Sequence, residues 1–358
     1  MKKVFLSIAA VAITATLFTS CKKDRVPTTP ATSQDKASTQ VMDAFFSKYA
    51  PKNESFTIDA AAGGTITLNS GTKINFPVNA FKTKAGVVVT GNVTLFVRDI
   101  LNATSMILAD KPTLTSDGQM LESFGEIIVK AEQNNDELVL NGPKPPSVVV
   151  PIGAANAGQR QVPMWEGDSL VTFTQSGYNH ENIEVTISNT VGVRRGVAWN
   201  QIPGSGFAST TSTTFPLDAL GTWINCDALY NDPRPKTTIL GYFGDKFNTE
   251  TGNNYSSADP SLLFFKTKST NTLIKLYNAI FMPAPGKEGL LSYQESIPIG
   301  QEGTFLAISA KNNKLYAEMR DVTIPAPDAG KDYVGFTFNL TEVSETQLLN
   351  LINQMSTK

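Results

Sequence analysis

The segment Trp223-Ile224-Asn225-Cys226-Asp227, with Tyr230 close behind it, sets an aromatic platform beside an amide and a carboxylate. Aromatic faces stack on sugar rings or peptide side chains while amide and acid groups fix orientation. Trp223, Asn225, Asp227 and Tyr230 are therefore candidate ligand-binding residues. The same residues also fit an indole anchoring the interior of a β-sandwich, the commoner use of a large aromatic side chain. A second group, Asp245, Asn248, Glu250 and Asn253 around Gly252, is rich in oxygen ligands. It departs from the ordered EF-hand spacing and suits a polar hairpin loop better than a calcium site.

Other chemistries are constrained by scarcity. The chain has one histidine, His180, and two cysteines, Cys21 and Cys226. A Ser-His-Asp or Cys-His site would have to use His180, which reads as a loop residue, and no G-x-S-x-G turn is present. Zinc needs several His or Cys ligands, so no metal is expected, and without a phosphate loop or dinucleotide fingerprint no cofactor is expected either. Cys226 reads as a small buried hydrophobe. A glycosidase needs only two carboxylates about 5 to 9 Å apart, so an Asp/Glu pair stays open as the alternative route to activity.

These residues sit in a chain of 358 with 30 Lys+Arg against 32 Asp+Glu, a formal net charge of −2. Phosphate backbones are held by basic surfaces, so a nucleic-acid partner is not expected. The 41% hydrophobic content suffices for the cores of about two domains. A charged fraction of 17%, below the usual ~25%, with abundant Thr, Ser, Asn and Gly, suits an exported β-rich protein.

Period-two alternation dominates the chain. Thr65-Ile66-Thr67-Leu68 and Lys73-Ile74-Asn75-Phe76 flank the turn residues Asn69-Ser70-Gly71 and predict a hairpin. Leu170 to Phe173 and Ile183 to Ile187 predict another. The expected fold class is all-β, two β-sandwich-like domains in tandem with a short N-terminal helix and a C-terminal helix. Val41, Ala44, Phe45 and Tyr49 place the first helix, expected to dock on the first domain. Ser344 and Gln347 form a capping box ahead of Leu348, Leu349 and Ile352 in the second. The expected boundaries are a signal peptide at 1–20, a tether and short helix at 21–52, a sandwich at 53–150, a hairpin extension and linker at 151–218, and a C-terminal β-domain at 219–358.

Lys2 and Lys3 precede the apolar run Val4 to Phe18, too short for a comfortable membrane span. The run ends in Leu17-Phe18-Thr19-Ser20-Cys21, which resembles the lipobox of bacterial lipoproteins, with Phe18 where that family usually has Leu. The resemblance implies cleavage before Cys21, acylation of Cys21, and outer-membrane attachment through the lipid, facing either the cell surface or the periplasm. Gly63-Gly64-Thr65-Ile66-Thr67-Leu68, Gly71 to Pro77, Ala80-Phe81 and Val93 to Val97 look like the opening of a ZU5-type β-sandwich, over about 56–150. Such modules generally mediate interactions, and some self-cleave at His-Phe-Ser. Here His180 precedes Glu181-Asn182, so that activity is not carried over. The segment from Leu220 to Asp227 is similar to uncharacterised Gram-negative lipoproteins with a ZU5-like front. Together these imply a non-enzymatic adhesion, scaffold or ligand-binding protein whose partner is a protein or glycan. The alternative is a carbohydrate-active or peptide-processing lipoprotein using an Asp/Glu pair.

Overall fold

A computed structural model describes residues 33–116, 118–142, 144–151, 161–167, 170–176, 182–188, 197, 199–203, 207–208, 212–244, 261–279 and 289–358. Cys21, His180 and the 245–253 oxygen cluster lie outside these residues. The expected all-β class is observed: strands dominate, with helices α1 (Ser33–Tyr49), α2 (Ala103–Ala109) and α3 (Glu345–Met355).

The predicted hairpin forms, Gly64–Thr67 pairing antiparallel with Lys73–Phe76. It extends through Ser147–Pro151 to Ser212–Pro216, giving a four-stranded sheet. Facing it is a larger antiparallel sheet ordered Glu54–Asp59, Asn92–Ile100, Leu121–Gln133, Trp223–Leu229, Met164–Gly167, Trp199–Gln201. Ile66, Ile74, Phe76, Val148 and Phe215 from the first sheet share a core with Leu95, Val97, Val129, Ile224 and Cys226 from the second. Period-two alternation puts these apolar side chains on the facing surfaces, and their burial makes this lobe a β-sandwich.

A third sheet of nine strands holds most of the chain beyond Lys236. Its long hairpin pairs Glu302–Lys311 with Lys314–Thr323, and Tyr333–Phe338 runs parallel to Lys236–Phe243. Phe305 meets Phe265, Phe336 and Phe338 at centroid separations of 4.7, 5.0 and 5.4 Å. The other face of this sheet shares a second core with the three helices and the outer face of the large sheet. Leu306, Ile308, Leu262 and Phe264 meet Met42, Phe45, Phe46, Leu348, Ile352, Ile100, Trp165, Trp199 and Trp223 there.

Three expectations are corrected. Trp223–Leu229, read as the start of the C-terminal region, is a central strand of the first lobe's large sheet, between Leu121–Gln133 and Met164–Gly167. A fully apolar-flanked strand belongs wherever both of its edges find partners, and sequence position does not decide that. Helix α1 packs on Glu302–Lys311 and Lys314–Thr323 of the third sheet, not on the first domain alone, because its Met42, Phe45 and Phe46 are covered there. Ser212–Pro216, read partly as linker, is a strand. The second hairpin does pair as expected, Leu170–Ser176 with Asn182–Ser188. Ser344 and Gln347 cap α3 reciprocally, and α2 has its own box from Asn102 and Ser105. No helix among the described residues is long and apolar enough to cross a membrane.

Candidate functional site

The strand Trp223–Leu229 alternates its faces. Ile224 and Cys226 enter the sandwich core, while Trp223 joins the core between the lobes. Asn225 and Asp227 share the face of Trp223 by the period of two. All three candidates are enclosed: Trp223 is 7% exposed, and Asn225 and Asp227 are fully buried. Trp223 is therefore a packing residue, but it anchors the core between the lobes and not the interior of the sandwich.

A β-bulge organises the polar part of this face. Register slips between Asn225, opposite Glu126, and Asp227, opposite Ser123, so Phe124 and Gly125 together face the single residue Cys226. The bulge brings Ser123 and Glu126 onto one face beside Asn225 and Asp227, where strict alternation would separate them. Ser123 Oγ donates to Asn225 Oδ1 at 3.4 Å, Asn225 Nδ2 donates to Asp227 Oδ2, and Trp165 Nε1 donates to the Asp227 carbonyl at 2.7 Å. Gly125 makes the bulge possible. It sits at φ +138°, and a Cβ there would lie 2.9 Å from both Leu101 Cδ2 and Val150 Cγ1. Gly125→Ala is expected to cost about 2 kcal/mol or more from backbone strain and overpacking; an unchanged urea midpoint would refute the tight-bulge account.

Both carboxylate oxygens of Glu126, and Asp227 Oδ1, are buried without a hydrogen-bond partner. Burial, reinforced by the charge of Asp227, holds the Glu126 carboxyl well above its ordinary range. Burial also pushes Asp227 up to about 7, against the hydrogen bond from Asn225 that pulls it down. Lys111, fully buried near the Trp223 ring at 5.6 Å, is brought down to about 8 by burial, which outweighs the attraction of Asp110 and Glu126. Two facing acids poised to hold protons are the ingredients of acid–base chemistry. Here they are sealed between the lobes. The Cys226 thiol, pushed up by burial, is no nucleophile.

Tyr230 lies apart from the other three. It follows the strand end and lines a cleft of about 330 Å³ with Leu229, Lys236, Tyr293, Gln294 and Glu295. Leu229 is 41% exposed. The Tyr230 hydroxyl donates to Gln301 Oε1 at 2.7 Å, and Arg234 Nη2 donates to the same oxygen at 2.8 Å, so the ring is held in one orientation. Glu295 occupies the rim at φ 48°, its N–H donating to Thr238 Oγ1 at 2.9 Å. A non-glycine residue held left-handed is retained only where its surroundings over-determine it. A second cleft, about 420 Å³ between Lys268, Glu302, Asp321 and Lys358, spends its charges internally through Lys268–Glu302 and Lys358–Asp321 pairs at 2.7 and 2.9 Å.

The sequence reading thus grouped residues that the fold divides, and it missed Glu126, Lys111, Asp110 and Lys275. The signal was present: Glu126 and Lys275 interrupt the apolar runs Phe124 to Val129 and Leu273 to Leu276, and a charge inside a buried strand needs an explanation. Among the described residues no three His, Cys, Asp or Glu side chains converge as a metal site. No known protein family, curated protein or solved structure matches the chain.

Proposed function

We propose that the chain is a lipid-anchored cell-envelope protein that binds a protein or glycan ligand through the cleft at Tyr230 without turning it over. The observation that carries this reading is the pairing of an oriented Tyr230 ring with exposed Leu229 and the polar Lys236, Gln294 and Glu295 in one solvent-facing cleft. Aromatic surface beside a few placed polar groups is the composition of a ligand pocket. Anchoring rests on the lipobox-like Thr19-Ser20-Cys21, since two or more acyl chains hold a protein stably at a bilayer.

One experiment addresses both halves. The tagged full chain, Tyr230→Ala and Cys21→Ala are fractionated and screened against arrayed glycans and envelope proteins. Cys21→Ala is expected in the soluble fraction. Tyr230→Ala is expected to bind the identified ligand about tenfold more weakly or worse, with circular dichroism showing the fold retained. Persistent membrane association of Cys21→Ala would defeat the anchoring claim, and undiminished binding by Tyr230→Ala would defeat the cleft. The other reading is a carbohydrate-active or peptide-processing protein using an Asp/Glu pair, which would need the lobes to part and expose Glu126 and Asp227. It predicts glycan or peptide hydrolysis that Glu126→Gln abolishes.

A further inference from the structure

Among the described residues, a buried contact of opposite charges joins the two lobes. Lys275 stands mid-strand, opposite Phe264, with its side chain fully enclosed; the Asp110 side chain is 3% exposed. Lys275 Nζ lies 2.8 Å from each carboxylate oxygen of Asp110. Asp110 reaches it from the C-cap of α2, in the left-handed conformation at φ 52° and ψ 51°. The approach is clamped one turn further on. Thr113 N–H donates to the Leu273 carbonyl at 2.8 Å, and Leu273 N–H returns a bond to Thr113 Oγ1 at 2.8 Å.

As an ion pair this arrangement is expensive. Removing an ammonium and a carboxylate from water costs several kcal/mol per ion. Met106, Ile107, Phe264 and Leu273, on the same and the adjoining elements, belong to the apolar core between the lobes, and the buried Lys111 is a further charge nearby. A nitrogen 2.8 Å from both oxygens of one carboxylate is also within about 3.2 Å of its carbon, so the reacting atoms are in contact and a rotation of the carboxylate about Cβ–Cγ would turn its face to the nitrogen. We propose that Asp110 and Lys275 are joined by a side-chain amide bond that crosslinks the two lobes.

The chemistry balances without a cofactor or oxidant. A proton passes from Nζ to the carboxylate oxygen beside it, leaving a neutral amine and a carboxylic acid. The amine lone pair attacks Cγ and the new C–N bond forms. The C–O bond to the protonated oxygen breaks, a second proton from nitrogen joins it, and water leaves. Ammonium and carboxylate have become one amide and one water. The buried Glu126 carboxyl is linked to the pair through Lys111, adjacent to Asp110, which is within electrostatic reach of Asp110, Lys275 and Glu126 alike. Neither Glu126 oxygen is hydrogen-bonded, which leaves that carboxyl available to relay the protons. The product would close a loop between positions separated by 165 residues and remove two buried charges, restricting the unfolded chain.

The test is peptide mapping by mass spectrometry of the folded full chain, denatured and digested with trypsin. Expected is one branched peptide carrying Asp110 and Lys275, lighter than its two linear parents by one water, with no cut after Lys275. Lys275→Arg keeps the charge pair and the fold, checked by circular dichroism, and is expected to yield linear peptides only. Recovery of the two linear parents alone from folded wild-type chain would overturn the proposal. A branch at Lys111 in place of Lys275 would overturn it equally.

Discussion

Trp199→Ala is expected to lower the stability of the folded chain by about 3 to 5 kcal/mol from the cavity alone, before any polar loss is added. Trp199 is fully buried on the edge strand Trp199–Gln201, in the core shared by the two lobes with Trp165, Val197 and Trp223. Its surroundings have little room to collapse into the space. Gly167 lies beneath the indole so closely that a Cβ there would sit 2.9 Å from it. The indole also does polar work, Nε1 donating to the buried Pro112 carbonyl at 3.1 Å. Stripping that acceptor of its partner adds about 1 to 3 kcal/mol. The two terms separate experimentally. Trp199→Phe retains most of the volume and loses the donor, so it should show mainly the smaller term. Urea unfolding followed by far-ultraviolet circular dichroism reads both variants, and a Trp199→Ala midpoint near wild type would refute the shared core.

The second large effect is a stability minimum between about pH 7 and pH 8. Asp227, raised from 3.8 to about 7, binds a proton in the folded state at pH values where the unfolded chain has already released it. Stability therefore falls as pH climbs from about 4 to about 7, by about 4 kcal/mol from Asp227. Glu126, also raised by burial, acts in the same direction. Lys111 and Lys266, each lowered by burial to about 8, shape the alkaline side. Between about pH 8 and 10.5 the unfolded chain keeps protons that the folded one has lost, so stability rises again with pH. Exposed pairs such as Lys48–Glu345 lower their acids' pKa and lose their small contribution only below about 4.5, outside this window. Urea midpoints at pH 5, 7.5 and 9.5 should trace the minimum, and Asp227→Asn should flatten its acid limb. A midpoint higher at pH 7.5 than at pH 5 would refute the sealed-acid account.

Local structure was legible where the signal is local. The Asn69-Ser70-Gly71 turn between two alternating runs gave the right hairpin. Ser344 and Gln347 marked the start of α3 because a capping box is written within four consecutive residues. The Asn102–Ser105 box of α2 went unread, since a helix of only seven residues has too few turns to display a period. The candidate site was legible only as residue types. Trp223, Asn225 and Asp227 do share a face, but nothing in their spacing says whether that face meets water or another sheet.

From its sequence alone this chain is determined to be β-rich, with strands whose alternation specifies which side chains share a face. Which strands become neighbours was decided only in three dimensions. Alternation specifies an edge rich in hydrogen-bonding groups without naming the edge that will satisfy it, and any strand of suitable length and polarity can do so. Packing of the lobes made the choice. It drew Trp223–Leu229 between Leu121–Gln133 and Met164–Gly167, sealed Glu126 and Asp227 away from solvent, left Tyr230 at the open cleft, and brought Asp110 against Lys275 from a distant part of the chain.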